Sequence, residues 1–251
     1  MTATDERIAA QPAETFRRGW FSLMLLAAVW GLASMWLWQG GQEVFYDIRR
    51  RYRVEAAAWL TVAAMIATMA LWMLRRSFLA LGDVLGGKEP AGRQLALAVL
   101  VVVVALVLLG LERSGSEDYP NYLPPAWQWI CPAPAWYRAL ILAPLWGAWA
   151  MLTTGQFCKP CRGDEPAVTA LVHGCGPLVA AFSLAIPLIP TLLYFNYLGV
   201  KHLWMPCATV AVAIAGGVAV CRTQGGLCRR AMLAVNLLAQ LAFFLSYIAC
   251  R

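Results

Sequence analysis

The sequence predicts an all-α, polytopic integral membrane bundle of about seven helices, and three observations predict it. Of 251 residues, 61% are hydrophobic and 13% charged, whereas an ordinary soluble domain has about 25% charged residues. A globular core of this size cannot hide so much apolar surface, so lipid is the natural solvent for the excess. The apolar residues also come in long runs, close to the ~20 that a helix needs to cross a bilayer. Finally, short basic clusters and many of the twelve tryptophans flank those runs, as headgroup-facing cations and interfacial rings do. The net charge of +7 therefore belongs to membrane flanks. It predicts the lipid bilayer as partner and no nucleic acid.

Residues 1–19 form a polar N-terminal segment, with Arg17 and Arg18 just before the first apolar run. That run is longer than a signal-peptide core and no A-x-A site follows it, so it reads as an uncleaved first span over 20–38. The second span covers 54–74 and is closed by Arg75 and Arg76. The third, 95–111, is the most apolar and contains the β-branched run Val101–Val104. Such a run disfavours a helix in water, but in lipid the backbone must satisfy its own hydrogen bonds, which restores the helix. The long loop 112–135 begins acidic and ends rich in Pro and Trp, as a segment lying on the membrane surface does. The fourth span is 136–154.

The fifth apolar stretch, 167–198, is about 48 Å long as a straight helix, too long for one crossing and short for two. Pro177, Pro187 and Pro190 interrupt it. It reads as one kinked crossing over 167–190 followed by an interfacial stretch, "TLLYFNYLGVKHLW". A re-entrant hairpin of two short helices is the rival. The sixth span is 203–221 and the seventh 231–250. Pro144 and Pro206 are expected to kink the fourth and sixth, and "AVAIAGGVAV" in the sixth supplies small residues for close helix packing.

All eight cysteines lie beyond residue 130. Cys158 and Cys161 form a C-x2-C pair in the polar break "GQFCKPCRGDEP". As a metal site they would join His173 and Cys175 in C-x2-C-x11-H-x-C, a set of soft thiolates and an imidazole suited to zinc. Its weakness is that His173 and Cys175 sit on different sides of an ordinary helix. As a redox site the pair would exchange disulfides, with Lys159 between the thiols to lower their pKa. The bland alternative is a reduced, unligated pair in a tight loop, and the sequence by itself favours it. Counting crossings places Cys158, Cys161, Cys221 and Cys228 on one face of the membrane, with His173 and Cys175 near it. Cys131, Cys207 and Cys250 fall toward the other.

Apart from Glu55, at the very edge of the second span, no Asp or Glu falls inside a predicted span, which argues against carboxylate-based ion coupling and paired-aspartate catalysis. No Gly-rich phosphate loop, HExxH or GxSxG motif occurs. Arg138, near the start of the fourth span, can snorkel. Asn236 and Gln240, four residues apart, share one face of the seventh span and are candidates for interhelical hydrogen bonds, with Tyr247 near that face.

These features predict a non-enzymatic membrane protein, a scaffold or subunit that packs against a membrane-protein partner or against itself, with no catalytic residues and no cofactor. One alternative is a thiol-redox or zinc-binding protein acting through Cys158 and Cys161. Another is a carrier of hydrophobic small molecules or lipids that uses the proline-kinked spans. The Lys and Arg distribution places the N-terminus in the cytoplasm, and the protein in a cytoplasmic (inner) membrane, although "IRRRYR" falls on the opposite side.

Overall fold

The computed structural model describes residues 3–44, 63–64, 75–87, 89–113, 135–161, 168 and 175–251. Most of the predicted second span, residues 114–134 of the long loop (Cys131 among them) and His173 lie outside the described residues. Within them the chain forms seven α-helices and one 3-10 stretch, with no strand. The helices are α1 (Ala3–Val44), α2 (Arg75–Gly86), α3 (Pro90–Arg113), α4 (Ala135–Phe157), α5 (Pro177–Tyr194), α6 (Trp204–Gln224) and α7 (Arg229–Cys250), and the 3-10 stretch is Asn196–Leu203. Five segments are long and apolar enough to cross a membrane: Gly19–Gly41 of α1, Pro90–Leu111 of α3, α5, the 3-10 stretch continued into α6, and α7.

The helices carry the signature of lipid solvation. On α3, Leu100, Val104, Val107, Leu108 and Leu111 are buried, while Leu95, Val99, Val102 and Leu106 on the other side are exposed. Both stripes are apolar, so the packed face and the bare face each need a non-aqueous environment. On α5 the pattern is inverted. Ala180, Ser183, Pro187 and Thr191 face inward, while Leu178, Phe182, Ile189 and Leu193 face outward. Small and weakly polar residues approach neighbouring helices closely, and the large apolar ones are left to the lipid.

α4 is the axis of the bundle, packed on α1, α5, α6 and α7. It is not one of the five apolar segments, yet Leu140, Ala143, Trp146, Ala150 and Leu152 are all buried. Its ends show that it runs the length of the bundle. Arg138, at its start, meets the end of α5, and the residues after its last turn meet the α6–α7 turn. Gly31 of α1 lies so close to α4 that a Cβ would stand 2.2 Å from the Ile141 carbonyl oxygen. On α6, a Cβ at Gly216 or Gly217 would run into Leu238 of α7 or Thr154 of α4. The small residues of the sixth span thus serve the close packing that the sequence predicts.

Three local expectations change. α5 begins at Pro177, with Gly176 as its N-cap, and most of the expected start of this span, 167–174, lies outside the described residues. Proline at the first helical position costs nothing, because its missing N–H has no partner there anyway. Pro187 and Pro190 lie inside the helix, which continues to Tyr194. α5 runs antiparallel to α4: it starts beside Gln156, which donates to the Cys175 carbonyl, and ends beside Arg138. The expected interfacial stretch is partly core, since Phe195 is fully buried among Tyr197, Phe243 and Tyr247, with ring centroids 5.2–6.3 Å away. Arg138 does not snorkel. It is 3% exposed, donates to the Tyr194 carbonyl at 3.2 Å and lies over the Tyr194 ring. It occupies the C-terminus of α5, where unpaired carbonyls attract a cation.

Candidate functional site

The site is built where three helix ends meet. α4 ends at Phe157, and Cys158 N–H still bonds back to Thr154 at 3.1 Å. The chain then runs through Lys159, Pro160 and Cys161 beside the turn that joins α6 to α7. Cys161 N–H donates to the Leu227 carbonyl at 3.0 Å, and Leu227 N–H donates to the Lys159 carbonyl at 2.7 Å. This pair forms a single parallel bridge between Pro160 and Leu227. It fixes the C-x2-C segment directly against the segment that carries Cys221 and Cys228.

Glycine chemistry makes this approach possible. Gly225 caps α6 in the left-handed conformation, a standard helix stop, and Gly226 N–H returns to the Cys221 carbonyl at 2.8 Å. Gly226 has φ +144°, a region open essentially to glycine alone. A Cβ there would stand 2.9 Å from Lys159 O and 3.1 Å from Cys161 Sγ.

The four thiols come from both segments. Cys221 lies in the last turns of α6 and is buried. Cys158, Cys228 and Cys161 are its thiol neighbours. Cys158 Sγ is 3.9 Å from the Gly217 carbonyl and Cys161 Sγ 3.6 Å from that of Gln224. Cys228 is the N-cap of α7, and its sulfur accepts the Ala231 N–H at 3.4 Å. Cys158, Cys161 and Cys228 are half-buried, so the cluster stands at the wet edge of the bundle. The thiols face one another without converging on a point: among the described residues, no three His, Cys, Asp or Glu side chains stand ready as metal ligands.

Compared with known protein families, curated proteins and solved structures, the chain matches none.

Cys175 lies in the core just before α5, 1% exposed. Burial pushes its thiol above the ordinary range, which keeps it protonated and packing as a small hydrophobe. It is not among the thiols that surround Cys221. Cys158 and Cys161 thus find their partners in Cys221 and Cys228, the pair that counting crossings brought to the same face. Of the polar pair on α7, Gln240 donates to Asn236 at 2.6 Å within the helix, where the expectation was bonding between helices. Asn236 is wedged against α4 at Gly147, where a Cβ would meet its side-chain nitrogen at 2.9 Å. Tyr247 is buried in the aromatic cluster.

Proposed function

We propose that the chain is a non-enzymatic integral membrane protein whose α4, α6 and α7 are fastened at one face by a thiolate metal centre. Cys158, Cys161, Cys221 and Cys228 hold one thiophilic ion of the zinc class. The observation that carries this reading is the backbone bridge between Pro160 and Leu227, which brings a C-x2-C pair and a second cysteine pair together from distant parts of the chain. Around one ion, four thiolates would close a tetrahedral set with no open position for a substrate, the mark of structural zinc; the side chains as they stand do not converge on a point, so binding would draw them together. Of the other set, Cys175 is not among the thiols around Cys221, and His173 lies outside the described residues.

The charge pattern supports a metal over a disulfide. The thiol face carries Arg76, Arg93, Lys159, Arg222, Arg229 and Arg230, and the other end carries Arg113, Arg138, Lys201 and Arg251. On the positive-inside rule the thiol face and the N-terminus are cytoplasmic, and the cytosol keeps thiols reduced. The same basic side chains offset the negative charge of a four-thiolate centre. A fastened bundle of this kind suits the scaffold or subunit role read from the sequence.

Elemental analysis of the purified protein tests the proposal. About one equivalent of zinc or another thiophilic metal is expected, lost in Cys158→Ser and in Cys221→Ser and retained in Cys207→Ser. Metal-free protein with four freely alkylated thiols, or a Cys158–Cys221 disulfide in protein from the cytosolic side, overturns it.

A further inference from the structure

A second site lies on the same face, on the side of the bundle formed by α2 and α7. The two helices enclose a cleft of about 340 Å³, lined by Arg76, Leu79, Ala80, Asp83, Arg229, Arg230 and Leu233. Its chemistry is divided. Three guanidiniums and one carboxylate form the polar wall, and Leu79, Ala80 and Leu233 form the apolar one. Asp83 is engaged by Arg93 Nε at 3.4 Å and by Arg230 Nη1 at 3.9 Å. One carboxylate therefore stands among four arginines, and the cleft is left with excess positive charge.

Its placement sets what can fill it. α2 is two-faced: Phe78, Ala80, Leu81 and Gly82 are buried, while Arg76 and Leu79 are exposed. Leu79 is 45% exposed beside the guanidiniums, where water would penalise it. α7 begins at Arg229, so the positive end of its dipole adds to the same field. A ligand matched to both walls has a phosphate for the arginines and a hydrocarbon chain for the leucines. We propose that this cleft binds an anionic phospholipid, its phosphate held between Arg76 and Arg230 and an acyl chain lying along Leu79 and Leu233. Guanidiniums grip phosphate oxygens in pairs, and basic pockets between membrane helices on the cytoplasmic side are known to suit anionic headgroups. Free phosphate would satisfy the arginines and leave the apolar wall bare.

Native mass spectrometry of the full chain in detergent tests this, with phosphatidylglycerol, phosphatidylcholine and inorganic phosphate as probes. Phosphatidylglycerol is expected to stay bound where phosphatidylcholine is lost. Arg76→Gln with Arg230→Gln should weaken phosphatidylglycerol binding about twenty-five-fold, at roughly fivefold per arginine. Arg222→Gln, on the same face and outside the cleft, should leave it unchanged. Leu79→Ser should weaken the lipid and spare inorganic phosphate. Thermal melting of each variant verifies that it is folded. Equal retention of the two lipids, insensitivity to the double substitution, an equal loss in Arg222→Gln, or displacement of the lipid by inorganic phosphate at comparable concentration overturns the proposal.

Discussion

At the scale of single residues, the thiol site depends on Gly226 more than on its neighbour. Gly226 combines φ +144° with a backbone contact that leaves no space for a Cβ. Gly225 has φ +75° and nothing within 4 Å of the place a Cβ would take, so a residue that tolerates the left-handed conformation fits. Gly226→Ala is predicted to lose about 1–3 kcal/mol through backbone strain and to impair metal retention. Gly225→Asn should cost less than about 1 kcal/mol. Thermal melting with metal analysis of both variants distinguishes them, and equal behaviour would contradict the geometry. Cys175 makes a separate prediction. Its thiol is raised by burial, so the folded state favours the protonated form. The stabilisation from this residue is complete below the ordinary thiol pKa. It is lost as pH rises through the raised value, because the unfolded chain ionises first. Mass spectrometry after maleimide treatment at neutral and mildly alkaline pH should find Cys175 unmodified until the protein is denatured. Rapid modification in the folded state would refute its burial.

At the scale of elements, α5 shows what the sequence could and could not yield. Its hydropathy marked a crossing, but Pro177 looked like an interruption because proline breaks helix interiors and opens helix starts. Only the cap at Gly176 decides between these. The inward residues of α5 were also illegible, since a helix with its large apolar side chains toward lipid has the opposite polarity to a soluble one. Trp146 and Trp149 of α4 read those inward residues through hydrogen bonds to Thr191 Oγ1 at 3.0 Å and to the Ala180 carbonyl at 3.1 Å. Thr191→Val keeps the volume and orphans the buried Trp146 N–H, so it should destabilise the protein by about 1–3 kcal/mol. Thr223→Val, whose hydroxyl bonds only to Val220 within its own helix, should cost less. Melting temperatures in one detergent compare them, and equal losses would argue against a role for the Trp146 bond. The bounds of α3, α6 and α7 were legible to within a few residues, because long apolar runs end where charge begins. The thiol neighbours of Cys158 and Cys161 were not. Nearness along the chain suggested His173 and Cys175, whereas Cys161 meets Gln224 across 63 residues. Parity of crossings narrowed the choice to a face, and packing alone brings Cys221 and Cys228 beside the C-x2-C pair.

At the scale of the whole molecule, the bare stripes of α3 and α5 require lipid around the bundle, and the antiparallel run of α4, α5, α6 and α7 sorts the cysteines by end. Cys158, Cys161, Cys221 and Cys228 stand at one end, while Cys250 lies at the other, with its sulfur 3.3 Å from the Lys201 carbonyl. With the thiol end in the cytoplasm, an impermeant maleimide should label Cys158 in inside-out vesicles after chelation. A cysteine placed at Lys201 should be labelled in right-side-out ones. The reverse pattern would invert the topology and weaken the argument against a disulfide. The most direct measurement is X-ray absorption at the metal edge of the purified protein. A first shell of four sulfurs at about 2.3 Å is predicted for zinc, diminished in Cys221→Ser. A shell of nitrogen or oxygen ligands, or no edge at all, would contradict the thiolate centre on which this account rests.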